Sequence, residues 1–146
     1  MELSDVDLLK PRVRLDQLRI HGGSDARIVH PPNSEVVRVE ILKNATKKPT
    51  DIQISLGEGG FVAGRRYAVS FRGRADRPRR FGFGVSMAHE PWESLGFYQK
   101  LELTPEWRQF YYEFIATRSE EHVRVAFDLG GSDASAEFCE VHLIDG

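Results

Sequence analysis

From Glu35 onward the chain is a succession of short runs in which apolar and polar residues alternate with period two, each bounded by Gly, Pro, Asn or Asp. This pattern excludes most architectures, because only a strand half-buried on one face has a two-residue repeat. VVRVEIL (36 to 42), DIQISL (51 to 56), RYAVSFRGRA (66 to 75) and FGFGVSM (81 to 87) are of strand length, and so are FYQKLEL (97 to 103), WRQFYYEFIA (107 to 116), VRVAFDLG (123 to 130) and EFCEVHLI (137 to 144). None holds a helical period, and the connections are too short for the crossover helices of a parallel sheet.

The alternation also sorts side chains by face. Tyr67, Val69 and Phe71 oppose Ser70, Arg72 and Arg74; Ile52, Ile54 and Leu56 oppose Gln53 and Ser55. Likewise Phe81, Phe83 and Val85 oppose Gly82, Gly84 and Ser86, while Val123, Val125, Phe127 and Leu129 oppose Arg124, Ala126 and Asp128. Antiparallel strands with one apolar face bury it by stacking two sheets, so the predicted fold is an all-β, two-sheet antiparallel β-sandwich. The 146 residues fit one domain, 1–146, with residues 1–35 the least regular part and LDQLRI a candidate edge strand. The pentapeptide GGSDA, at 22 to 26 and again at 130 to 134, is turn chemistry without wider duplication.

Charge and motifs remove several function classes. A net charge of -2 gives no reason to expect a nucleic-acid or membrane partner. Cys139, the only cysteine, cannot form an internal disulfide and reads as a small core residue. The opening MELSDVDLLKPRVRL has no apolar run of leader length, and no stretch approaches membrane-spanning length, which leaves localisation open. HExxH and GxSxG are absent, and the histidines show no metal-ligand spacing, so neither catalytic residues nor a metal site are expected. Glu90, Glu93, Glu102 and Asp128 include enough acids for a glycosidase pair, but solvated surface acids are the plainer reading.

The polar rows suggest binding instead. Arg72 and Arg74 are mid-strand, where a guanidinium can donate paired hydrogen bonds to a ligand. Glycine inside a strand marks a bulge or a close approach, and Gly82 and Gly84 are expected to share a trough with Gln53, Arg72 and Arg74. The loop HEPWESLG then caps that trough. Trp92 either stacks on a sugar ring or covers the sandwich end; Tyr98, in a strand, reads first as core; His89 and Glu93 supply polar contacts.

GRRYAVSFRGRA, LELTPEWRQFYYEF and VRVAFDLGGSDASAEFCEVHLID resemble the jelly-roll carbohydrate-binding modules attached to bacterial xylanases and glucanases, within the galactose-binding-like sandwiches. The match rests on Gly64 to Phe71, Leu103 to Phe110 and Phe138 to Leu143, and spans about residues 36 to 144. The resemblance implies a jelly roll that binds glycan, without catalysis, on a concave sheet face. It points to Gln53, Arg72, Arg74, His89, Trp92, Glu93 and Tyr98 as ligand contacts and treats Trp107 as structural. Relatives often hold a structural calcium with an Asp near the start of the last strand; Cys139 stands close to that position, so no cofactor is expected. The expected partner is an acidic or substituted carbohydrate. The alternatives are a protein-interaction module on the same scaffold and a hydrolase with an unrecognised carboxylate pair.

Overall fold

A computed structural model describes residues 6–7, 17–20, 23–31, 35–43, 48–57 and 60–145. The strands are β1 (Val6–Asp7), β2 (Gln17–Ile20), β3 (Asp25–Val29), β4 (Val37–Lys43), β5 (Ile52–Gly57) and β6 (Arg66–Ala75), followed by β7 (Arg79–Met87), β8 (Ser94–Leu103), β9 (Arg108–Ile115), β10 (Val123–Asp128) and β11 (Ala136–Asp145). One 3-10 turn, Pro49–Asp51, precedes β5. Every strand pairing is antiparallel. One sheet runs β3-β4-β11-β6-β9 with β1 also on β11; the other runs β2-β5-β10-β7-β8. The protein is therefore a two-sheet β-sandwich of jelly-roll type, with the N-terminal strand β2 at an edge.

The inward rows are those the alternation marks. Phe71, Phe110 and Phe138 from the six-stranded sheet meet Phe81, Phe83 and Phe127 from the five-stranded sheet, and Phe127 and Phe138 approach to 4.3 Å between ring centres. Ile52, Ile54, Val69, Val123, Val125 and Leu129 complete this interior, all with 0 % exposure. The side chain of Leu56 lies outside the described residues. Each fully buried aromatic or aliphatic side chain contributes about 1.5–3 kcal/mol, so the interleaved rings are the main cohesive contact between sheets.

The connection Asp76–Pro78 has the largest effect on the position of any site. It carries the chain from β6 in one sheet to β7 in the other. Consecutive strands therefore turn their polar rows to opposite sides of the molecule.

That crossing corrects the expected trough. Arg72 and Arg74 lie on the outer face of the six-stranded sheet, and Gly82, Gly84 and Gln53 lie on the outer face of the other. The two arginines are committed there: Arg74 Nε donates to Glu137 at 2.7 Å, Arg72 pairs with Glu140 at 3.5 Å, and both guanidiniums sit over Trp107, at 4.6 and 5.6 Å respectively. Trp107 is a shelf for these arginines rather than part of the buried core. Cys139 is not a core residue either. It is half-buried on this same outer face, opposite Arg72 in register, and burial raises its thiol pKa.

Candidate functional site

The outer face of the five-stranded sheet is shaped by what glycine leaves out. On β7 Gly82 and Gly84 alternate with the inward Phe81, Phe83 and Val85, and Tyr98 of β8 is the register partner of Gly84. A Cβ on Gly82 would lie 2.1 Å from the Tyr98 hydroxyl; one on Gly84 would lie 2.7 Å from Tyr98 Cδ2 and 2.8 Å from the Phe97 carbonyl oxygen. The close approach expected at these glycines is thus made by the protein's own tyrosine ring. Tyr98 is 49 % exposed and not in the core, because alternation along β8 sends Phe97 inward and Tyr98 outward.

The ring is anchored at its hydroxyl, which donates to Asp128 Oδ2 at 2.9 Å while Gln53 Nε2 donates to Oδ1 at 2.7 Å. Both carboxylate oxygens are occupied, and β5, β10 and β8 are tied together across the face. Partial burial, reinforced by the Asp128 charge and the hydrogen bond, pushes the Tyr98 pKa up to about 12.

Trp92 reaches the same face from the turn before β8. Its amide donates to the His89 carbonyl at 2.8 Å, and its φ is +61°, in the left-handed region that a bulky residue rarely adopts. Such strain persists only where surrounding contacts hold it, and it gathers at functional sites. Here the guanidiniums of Arg19 and Arg124 stand 4.6 and 4.9 Å from the indole centroid. Arg124 is buried and donates through Nε to Ser86 Oγ at 3.0 Å; burial first, then the like charge of Arg19, lowers its pKa, with Asp128 opposing.

Trp92, Tyr98, Arg19, Gln53, Arg124 and Asp128 line one open depression of about 620 Å³. A second depression, of about 380 Å³, follows along β7 and is lined by Arg80, Gly82, Lys100 and Ser132, with Asp128 common to both.

Of the residues expected from sequence, the structure brings together Gln53, Trp92 and Tyr98 and leaves Arg72 and Arg74 on the far sheet. His89 and Glu93 belong to the Trp92 loop but line neither depression. His89 Nδ1 faces the Glu90 carbonyl at 2.7 Å and Nε2 faces Glu120 at 3.0 Å, and the Glu120 bond in particular raises its pKa. Glu93 pairs with Arg118. Arg19 and Arg124 also line the first depression, although the sequence did not single them out and Arg124 shows the same mid-strand polar-row signal as Arg72. Among the described residues no three His, Cys, Asp or Glu side chains gather to hold a metal ion. At Cys139 the chemistry is also wrong for calcium, since a thiol held in its neutral form is a poor ligand for a hard cation.

No family model and no curated protein matches the chain. Solved structures do. A structure described as CBM4 is 23% identical with a TM-score of 0.77, covering 98% of this chain and 96% of its own. The second N-terminal cellulose-binding domain of a β-1,4-glucanase from Cellulomonas fimi is 21% identical with a TM-score of 0.70, again covering 98% and 96%. A CBM22-1 xylan-binding domain from Paenibacillus barcinonensis is 10% identical with a TM-score of 0.59 and the same coverage. At these identities the likeness shows a shared fold, from end to end of both chains.

Proposed function

We propose that this protein is a non-catalytic carbohydrate-binding module that takes a poly- or oligosaccharide on the outer face of its five-stranded sheet. The observation that carries the reading is one depression holding two aromatic side chains, Trp92 and Tyr98, among fixed hydrogen-bonding groups at Gln53, Arg124 and Asp128. A pyranose offers such a site an apolar C–H face for the rings and hydroxyls for the polar groups. The shared fold supports the same reading, since the similar solved structures include domains described as cellulose-binding and xylan-binding. Sugars that are acidic or carry charged substituents fit best. Arg19 and Arg124 now supply the positive charge in place of Arg72 and Arg74.

Turnover is not expected. Of the acids considered for a carboxylate pair, only Asp128 lines the depression, and both its oxygens already accept hydrogen bonds from the protein's own side chains.

A glycan array probed with the wild type, Trp92→Ala and Arg74→Ala tests the proposal. Signal retained by Arg74→Ala and lost by Trp92→Ala is expected; equal signals from all three would remove the face from consideration, and a blank array for all would favour a protein-interaction module.

A further inference from the structure

The distribution of unneutralised charge points beyond a generic glycan site. On the six-stranded sheet four arginines are matched, Arg27 by Glu40, Arg38 by Asp76, Arg72 by Glu140 and Arg74 by Glu137, while Lys43 and Arg108 have no ion pair among the described residues. On the face bearing the depressions the pattern reverses. Among the described residues no ion pair within 4.0 Å joins a carboxylate to Arg19, Lys48 or Arg124 at the first depression, or to Arg80 or Lys100 at the second.

The acids at this face offset these cations only in part, Asp128 by its charge near Arg124. Asp51 and Asp128 are both 5 % exposed, and each is engaged locally, Asp51 by the Lys48 amide at 3.3 Å and Asp128 by Gln53 and Tyr98. Glu102 is the register partner of Arg80 without an ion pair between them. Among the described residues of a protein of net charge -2, the face bearing the depressions therefore carries five cations without an ion pair, in two groups.

The spacing of the groups matters as much as their sign. The first depression takes in Gly84 to Ser86 of β7, and the second takes in Arg79 to Gly82 of the same strand. At about 3.3 Å per residue, the two cation groups are separated by roughly 10–20 Å along the strand, with the Tyr98 ring between them. A mono- or disaccharide cannot present charge to both.

Resting on the glycan-binding reading, we infer that the ligand is a polyanionic glycan bearing carboxylates on successive residues, a polyuronate. Its chain runs along β7 from the Arg19–Trp92–Arg124 cluster, over Tyr98, to a second subsite at Arg80 and Lys100. Planar guanidinium groups match planar carboxylates in a two-bond fork, which favours uronates over bulkier tetrahedral anions.

Calorimetric titration separates this inference from the reading it rests on. The probes are polygalacturonate, its carboxyl-reduced neutral counterpart, dextran sulfate, and oligogalacturonates of increasing length. Polygalacturonate is expected to bind at least tenfold more tightly than the reduced polymer, and oligomer affinity is expected to keep rising beyond the trimer. Arg80→Gln, on an exposed position outside the first depression, should lower affinity for the long uronate about tenfold and leave that for the shortest oligomer unchanged. Arg19→Gln should weaken both. Equal affinity for charged and reduced polymers, or tighter binding of dextran sulfate, would overturn the polyuronate inference while leaving glycan binding intact. No effect of Arg80→Gln on the long chain would remove the second subsite. Failure of all four probes together with a blank array would overturn the glycan reading itself.

Discussion

The seating of Tyr98 on Gly82 can be tested by a cost that disappears with the ring. In Gly82→Ala the new methyl would stand 2.1 Å from the Tyr98 hydroxyl and 2.8 Å from Cζ, so the ring must swing off the strand and release Asp128. A hydrogen bond to a charged acceptor is worth about 1.5–3 kcal/mol. Alanine in place of glycine inside a strand returns about 0.5–1 kcal/mol. The expected net cost is therefore about 1–2 kcal/mol, read as a fall in urea midpoint at unchanged slope. In a Tyr98→Ala background the ring and its hydrogen bond are both gone, leaving only Asp128 Cβ at 3.3 Å to give by a few tenths of an ångström, so the same substitution should be about neutral or stabilise by up to about 0.5 kcal/mol. Gly84 supplies the contrast. Its added methyl would also meet the Phe97 backbone oxygen at 2.8 Å, which removing the ring cannot relieve, so Gly84→Ala should cost about 1–3 kcal/mol in both backgrounds. An equal cost for Gly82→Ala with and without the Tyr98 ring would refute the seating argument.

Tyrosinate absorbance should show Tyr98 ionising near 12; since the unfolded value is near 10, its stabilising contribution is complete below about pH 10 and lost as pH rises through 12. Asp128→Asn should bring that value down only in part, because burial is the larger cause. Both His89 nitrogens face acceptors, which only the imidazolium can satisfy, so NMR titration should place its pKa above 6.5 and Glu120→Gln should lower it. The hold on the Trp92 loop is then fully present below about pH 6.5 and lost as pH rises through the raised value. Arg79 is buried and donates to the carbonyls of Arg80, Leu129 and Ala134, with burial lowering its pKa to about 10. Arg79→Met would orphan those carbonyls and should cost about 3 kcal/mol or more in urea unfolding.

What the sequence made legible was whatever depends on period alone. Strand β6 is the run 66 to 75 without adjustment, and Phe71, Phe83 and Phe127 face inward as the alternation requires. Alternation separates inside from outside, but it does not say which sheet a strand joins. Arg72 and Gly82 are both outward and only a turn apart in the chain, yet they face opposite sides because Asp76–Pro78 crosses between sheets. Tyr98 differs again: within the run 97 to 103 it shares its row with Lys100 and Glu102, opposite Phe97, so the alternation already turned it outward and only the size of its ring argued for the core. Arg19 lay in the least regular part of the chain, where nothing but an edge-strand pattern was available to rank it.

The placement of Cys139 on the sheet opposite Trp92 has a practical consequence. As the chain's sole thiol, it is a unique handle for covalent tethering to a bead or sensor chip, and the high thiol pKa calls for mildly alkaline coupling. Molecules attached this way would all stand with the aromatic side turned toward the medium, so captured polymer could be counted without correction for blocked orientations.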